Sequence, residues 1–242
     1  MPSTLTENLY PQTGTILEGP GSLPITISVK IPDNVYSKMQ FAMHAVHITF
    51  EKGFNNILVL LENPPVHDLY NFLGYARSWA TSLLFHHESE DEVMFPFLMT
   101  KLDFKSEVEQ HKVIHSTCTK FADRTLAMQN DTSLFDAAEL SQILLENKDL
   151  IFQHLSEEVQ DLAPENLKAF TEQELTDMTL RLNKYSKTKA DPFTTFVYMR
   201  CHTPPEYKGF PPLPWFVRSF LVPWVFASKH KGYWKYAPYS LS

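Results

Sequence analysis

The sequence predicts an all-α fold: an up-down-up-down four-helix bundle with an N-terminal arm, a fifth helix and an irregular tail rich in proline and aromatic residues. Apolar residues recur at helical spacing through four stretches of similar length. Short breaks containing Pro, Asn or Asp separate these stretches, and short connections favour antiparallel neighbours. The composition is 43% hydrophobic and 20% charged over 242 residues, which is ordinary for a globular protein and excludes wholesale disorder.

The bundle is expected to span residues 33–165. Residues 1–32 form the arm, in which prolines interrupt any helix and the run ITISV offers at most a short strand. Asp33 is a plausible N-cap for the first helix, which should end at the Asn-Pro-Pro of residues 63–65. The other three helices are predicted at about 66–99, 104–129 and 134–162.

Residues 166–242 are expected to form the fifth helix and an extension that packs on the bundle. The capping box Thr171-x-x-Glu174 opens the fifth helix, which runs to about residue 187. The last fifty residues are rich in proline and aromatic rings, and rings bury large areas when they pack on a surface. The alternatives are a lid over a pocket or a weak membrane contact. Arg218 and the prolines of residues 211–223 argue against a membrane anchor.

Charge and cysteine content narrow the class of protein. The net charge is -7 with only 21 Lys and Arg residues, which argues against nucleic-acid binding because phosphate contacts need clustered cations. Two cysteines are too few for a disulfide framework and fit a reducing compartment. The first thirty residues lack the pattern of a signal peptide, and no uncharged apolar run reaches about 18 residues. We therefore expect a cytoplasmic protein without a transmembrane segment.

The ten histidines carry the main functional signal. Six of them have a His, Asp or Glu four residues later, whereas composition alone predicts about 1.6 such cases because His, Asp and Glu fill 38 of 242 positions. Side chains at i and i+4 share one helix face and can reach the same ion or two adjacent ions. One pair, His202-x-x-x-Glu206, contains two prolines and is not helical. The others place ligand-type residues in the apolar stripes of all four bundle helices: His47, His86-x-x-x-Glu90, His111-x-x-x-His115 and His154-x-x-x-Glu158.

Two registers stay open at this level. On the first helix His44 competes with His47, and the apolar residues that share the face of His47 favour the latter. On the second helix the pair His87-x-x-x-Asp91 competes with the pair that begins one residue earlier, and periodicity does not separate them. Glu51 follows one turn after His47 and is a further candidate ligand or supporting acid. Tyr75 and Trp79 lie below His86 on the same helix and are candidate pocket residues.

Five imidazoles and two carboxylates suit two first-row transition ions better than magnesium or calcium, which prefer oxygen donors. Two six-coordinate irons offer roughly 12 places. The imidazoles, two bridging carboxylates and an oxo or hydroxo bridge fill about 11, which leaves one place for a diatomic ligand. The predicted cofactor is therefore a pair of iron ions, with other divalent metals as alternatives.

The segments MHAVH, SWATSLLFHHESEDEVMFP, VEQHKVIH and HLSEEVQDLAP together resemble the hemerythrin-like, HHE cation-binding family over about residues 36–165. The tail segments FPPLPWF and GYWKYAPY are similar to the C-terminal extension of fungal members. The resemblance implies a four-helix bundle around a non-haem di-iron centre, and it favours His86 and Glu90 on the second helix. It implies the ligands His47, His86, Glu90, His111, His115, His154 and Glu158.

The chain departs from the blood hemerythrins on the fourth helix. Their histidine and aspartate lie five residues apart, whereas His154 and Glu158 lie four apart. Oxygen carriage therefore does not follow from the resemblance, and three hypotheses remain. The first is a protein that binds dioxygen or senses oxygen, nitric oxide or iron; the second is a di-iron oxygenase or oxidase acting on a small organic substrate; the third is an iron buffer or structural metal bundle. The oligomeric state is not predicted.

Overall fold

The computed structural model describes residues 29–207 and 209–241, and these residues form helices and turns. Residues 1–28, which hold most of the predicted arm and its short strand, lie outside the described residues. Helix α1 spans Val35–Glu62 and begins one residue later than predicted, because Asn34 rather than Asp33 is the N-cap. The Asn34 side chain accepts a 2.9 Å hydrogen bond from the backbone N–H of Ser37.

Helix α2 spans Leu69–Ser89 and continues through a wide π-helical turn, Glu90–Met94, into a last turn, Phe95–Leu98. In the wide turn the N–H of Phe95 bonds to the carbonyl of Glu90, five residues back. Pro96 accounts for this turn, since proline has no N–H and its ring would clash with the carbonyl four residues back in a regular helix. The predicted second helix is thus present with a local widening immediately after Glu90.

Helix α3 spans Lys105–Asn130 and packs along α2 for most of its length. The predicted fourth helix is divided into α4, Ala137–Glu146, and α5, Lys148–Asp161. Asn147 leaves helical geometry (φ -122°, ψ 20°), and its side-chain amide donates a 2.9 Å hydrogen bond to Thr117 Oγ1 on α3. This bond ties the break to the neighbouring helix.

A polar layer divides the apolar core of the bundle. One cluster of buried side chains includes Phe50, Phe54 and Trp79, and a second includes Met43 and Phe95. Along α1, His47 lies between a residue of the second cluster and a residue of the first, and the ligand-type residues of α2, α3 and α5 occupy the same level. The predicted metal-ligating residues are therefore enclosed by apolar side chains on both sides along the bundle.

The C-terminal region contains more helix than the sequence predicts. Helix α6, Glu172–Lys189, begins with the predicted capping box. Helix α7, Thr195–His202, lies in the segment that we expected to be irregular, and a wide helical segment, Val217–Phe226, follows it. Helix α7 has only two turns between prolines, which is too short for a clear apolar period.

Helix α7 is bonded to the bundle through Tyr198. Its hydroxyl donates a 2.8 Å hydrogen bond to the carbonyl of Thr49, and its ring stacks on Phe50 with a centroid distance of 5.8 Å. Gly53 makes this approach possible, because a Cβ atom there would lie 2.1 Å from the Tyr198 hydroxyl oxygen. Farther along, the amide of Gln129 donates to the hydroxyl of Tyr233 at 2.7 Å. Among the described residues, no helix is both long and apolar enough to cross a bilayer.

Candidate metal centre

A buried cluster of metal-ligating types of side chain lies at the polar layer of the bundle. Helices α1, α2, α3 and α5 all contribute members to it. Six members have at most 1% of their surface exposed, and His86 is 12% exposed. The members are His47 from α1, His86, His87 and Glu90 from α2 and its wide turn, His111 from α3, and His154 and Glu158 from α5.

The first group in the cluster consists of His47, His86, Glu90 and Glu158, whose donor atoms lie within 4.8 Å of one another. The Nε2 atoms of His47 and His86 are 3.0 Å apart. His86 Nε2 lies 3.1 Å from Glu90 Oε1, and His47 Nε2 lies 3.3 Å from Glu158 Oε2. Two imidazoles and two carboxylates thus converge on one point.

The second group consists of His87, His111 and His154, with donor atoms within the same 4.8 Å limit. His111 Nε2 and His154 Nε2 are 3.2 Å apart, and the ring of His87 stacks on that of His111 with a centroid distance of 4.0 Å. The glutamates lie between the two groups. Glu90 has one oxygen near His86 and the other 3.7 Å from His111 Nε2, while Glu158 Oε2 lies 3.7 Å from His154 Nε2 as well as near His47.

The outer nitrogens of three histidines are held by acceptors around the cluster. His47 Nδ1 donates to the backbone carbonyl of Leu155 at 2.8 Å, and His111 Nδ1 donates to Asp91 Oδ1 at 2.8 Å. His154 Nδ1 lies 3.0 Å from the amide oxygen of Gln110. Because the Gln110 amide nitrogen donates to Glu157 at 2.9 Å, its oxygen must face the imidazole. These bonds fix the proton of each ring on Nδ1, so each Nε2 presents a lone pair to the centre.

Such a centre needs a cation. The Nε2 lone pairs of His111 and His154 face each other at 3.2 Å, and both ring nitrogens of His87 are buried without a hydrogen-bond partner. All four carboxylate oxygens of Glu90 and Glu158 are likewise buried without one. Buried carboxylates and facing lone pairs are costly unless a positive ion lies between them. The donor set, nitrogen-rich with two carboxylates, fits first-row transition ions.

Burial sets the protonation of the cluster. It lowers the pKa of His86, His87 and His154 well below the usual value, and neighbouring histidines lower it further. These rings are therefore neutral at pH 7, which is the form that binds a metal ion. Burial also raises the pKa of Glu90 well above its usual value, and the nearby Glu158 adds to this effect.

A small cavity of about 240 Å³ borders the second group. His115, which the sequence predicts as a ligand, is half-buried at this cavity together with His111 and Asp91. The His115 ring lies 5.7 Å from that of His87 and 5.8 Å from that of His111, and its Nε2 is buried without a hydrogen-bond partner. Phe95, Met99 and Val108 form the apolar part of the cavity wall.

The remaining sequence candidates lie in other surroundings. His44 is buried against the C-terminal region, where its Nε2 lies 2.9 Å from the Tyr207 hydroxyl, and burial lowers its pKa to about 4. Glu51 is half-buried, and burial raises the pKa of its carboxyl. The indole N–H of Trp79 donates to the carbonyl of Phe50 at 2.9 Å, which makes it part of the core below the cluster.

The hydroxyl of Tyr75 lies 2.8 Å from Nε2 of His202, a fully buried histidine at the end of α7. His202 Nδ1 donates to the backbone carbonyl of Tyr198, so Tyr75 is the donor to Nε2. Sequence reasoning excluded His202 as a ligand by its prolines but did not find this pair, because no local pattern links residues 127 positions apart. It also missed Gln110, whose position one residue before His111 is the available signal.

Comparison with known proteins agrees with this geometry. A family model described as the hemerythrin HHE cation binding domain matches residues 39–165. No curated protein matches the chain, and no solved structure does. The match covers more than half of the 242 residues and includes every member of the buried cluster. The chain belongs to the hemerythrin HHE cation-binding family.

Proposed function

We propose that this protein is a non-haem di-iron protein that binds dioxygen or a related diatomic ligand, either to hold it or to sense it. The observation that carries the proposal is the pair of adjoining donor groups with Glu90 and Glu158 between them. His47 and His86 would hold one iron, and His111 and His154 would hold the other. When bound, a pair of irons supplies reversible electron transfer to a diatomic ligand.

The fifth imidazole is either His115 or His87. The family resemblance implies His115, while the structure places the more deeply buried His87 against both His111 and His154. His87 belongs to the second donor group and the His115 ring lies beside it, so we propose that one is a ligand and that the other lines the approach to the iron.

The surrounding residues perform the functions that such a site needs. Phe50 packs 5.2 Å from the His86 ring and Phe95 packs 5.0 Å from the His111 ring, so an apolar ring covers one side of each group. Leu155, Gln110 and Asp91 keep a proton on the outer nitrogen of three histidines and so keep the inner nitrogens free to bind. The small cavity beside His115 admits a diatomic molecule to the second group.

The test is metal content followed by visible spectroscopy. Protein purified without chelator should contain about two irons per chain, and reduction followed by air should produce a band that is reversible over several cycles. His111→Ala should lose iron. His87→Ala and His115→Ala form a matched pair, and the variant with less iron identifies the ligand. Zinc alone, or full iron in His111→Ala, would contradict the proposal.

A second candidate function is an oxidase or oxygenase with a small organic substrate. It is favoured by the apolar wall of the cavity beside His111, formed in part by Phe95 and Met99. This function predicts that two irons oxidise once in air and stay oxidised until a substrate or reductase is added. Iron that binds and leaves without any change on exposure to air indicates a buffer instead.

A further inference from the structure

The segment of residues 215–225 exposes aromatic side chains that a bundle would normally cover. Trp215 is 73% exposed and Trp224 is 72% exposed, and Phe216, Phe220 and Val225 are between 41% and 58% exposed. Within residues 29–207 and 209–241, every exposed Trp or Phe side chain lies in this segment, and the other exposed large apolar residues are scattered. Contiguous exposed apolar groups mark an interaction surface.

The same region is basic in an acidic protein. Residues 196–242 contain six Lys and Arg residues and a single acid, Glu206, whereas the whole chain has a net charge of -7. The charge of this region is therefore +5, and the preceding residues together carry -12. Lys235 forms an ion pair with Asp68, and the other cations of this region favour an anionic partner.

Two arginines stand next to one of the exposed tryptophans. Arg200 and Arg218 line a surface pocket of about 380 Å³ together with Trp224, Ser219 and Ser240. The Nε of Arg200 is buried without a hydrogen-bond partner, and in the part of the chain that the structure describes neither guanidinium is in an ion pair. Guanidinium groups bind phosphate oxygens through two parallel hydrogen bonds.

We propose that residues 215–225 and the adjoining arginine pocket form a docking surface for an anionic phospholipid membrane. The exposed rings would enter the headgroup region, and Arg200 and Arg218 would bind a lipid phosphate. Pro223 and Arg218 are incompatible with a spanning helix but not with a segment that lies in the interface. The surface is separate from the residues of the metal centre, so the binding does not depend on iron.

The residue types favour a lipid surface over a protein partner. Lysine and arginine beside Trp and Phe, with few acids, are typical of interfacial segments. Protein interfaces are also enriched in Trp and Arg, but they are depleted in lysine, and this region adds Lys229 and Lys231 to the arginines.

The test is co-sedimentation of the full chain with vesicles of phosphatidylcholine alone or with one third phosphatidylserine. We expect binding to the anionic vesicles and little to the neutral ones, with weaker binding as salt rises from about 0.1 to about 0.5 M. Arg200→Gln with Arg218→Gln should reduce the partition about 30-fold, since each cation near an anionic surface contributes about fivefold. Trp215→Ala with Trp224→Ala should reduce it about tenfold or more at both salt concentrations.

Matched controls come from α6, where Lys184→Gln with Lys187→Gln and, separately, Leu180→Ala alter exposed residues. These variants should bind as the wild type does, and thermal melting by circular dichroism checks that every variant is folded. Absence of binding to anionic vesicles would overturn the proposal. Binding by the tryptophan and arginine variants that equals that of the wild type would also overturn it. Binding of single-stranded DNA or of inorganic phosphate without any vesicle binding would assign the surface to another anion and overturn it too.

Discussion

Glu158→Leu should have opposite effects on the stability of the metal-free and the metal-loaded protein. The carboxylate of Glu158 is fully buried, its oxygens have no hydrogen-bond donor, and the nearest nitrogens are those of His47 and His154 at 3.3 and 3.7 Å. Without a cation it is a buried acid beside a second one, Glu90. A buried acceptor without a hydrogen-bond partner costs a protein about 1–3 kcal/mol, and an apolar side chain of similar volume removes this cost. We therefore expect the metal-free variant to be more stable than the wild type by about 2 kcal/mol.

In the metal-loaded protein, Glu158→Leu should be less stable than the wild type. An ion that binds only the folded protein stabilises it by about 4 kcal/mol when its concentration is about 1,000 times Kd. The variant lacks one of the two carboxylates between the donor groups, so it should lose most of the stabilisation that the bound ion provides. For a chain of this size each kcal/mol corresponds to about 2–4 °C in Tm. Glu158→Leu should thus melt about 4–8 °C higher than the wild type in chelator and lower than it in excess iron.

The assay is thermal melting by calorimetry under anaerobic conditions, with chelator or with ferrous iron. Glu88→Leu, two residues before Glu90 and exposed, is the matched control and should shift neither curve by more than a few degrees. A Glu158→Leu variant that melts below the wild type in chelator would refute the reasoning, because the carboxylate would then be compensated in the metal-free fold.

Three further predictions test the surroundings of the centre. Gln110→Leu should lower metal affinity about 10–100-fold in a chelator competition, because it removes the acceptor that fixes His154; unchanged affinity would show that the amide plays no part. His202→Gln should reduce the loss of stability in acid. Burial lowers the pKa of His202 to about 3, so the folded wild type loses stability as pH falls below 6.5, by about 2 kcal/mol at pH 5. Equal losses of stability in the variant and the wild type would contradict this prediction. Gly53→Ala should destabilise the fold by about 1–3 kcal/mol in denaturant melts, and adding Tyr198→Phe should restore part of it because the clashing hydroxyl is gone; full stability in the single variant would rule out the close contact.

The all-α bundle could be predicted from the sequence because its signals are local. Apolar period, prolines and the capping box at Thr171 and Glu174 fix helix ends within a few residues, since each acts through neighbouring backbone groups. The break at Asn147 could not be predicted, because the apolar residues on either side stay in phase across it. At the break the Asn147 side chain bonds to Thr117, thirty residues away, and such a contact has no local signature in the sequence.

In the candidate site, too, features with local signals could be predicted and contacts between distant segments could not. Spacing on single helices indicated which faces carry ligand-type residues, and the structure brings those faces together. Spacing could not separate His86 from His87, and the structure explains why. The two rings, adjacent in sequence, border different donor groups, and the wide turn that follows them has its origin in Pro96. Contacts between distant segments, such as that of Tyr75 with His202, have no local signature.

The close approach of Tyr198 to Gly53 also constrains the order in which the chain can fold. Tyr198 and its acceptor Thr49 are 149 residues apart, and the Tyr236 hydroxyl reaches Asp68 across 168 residues. During synthesis the bundle helices leave the ribosome first, with these surfaces of α1 and α2 uncovered until the last fifty residues follow. Contacts of such large sequence separation form slowly. We therefore expect the C-terminal region to pack on α1 and α2 late in folding, after the bundle helices have formed.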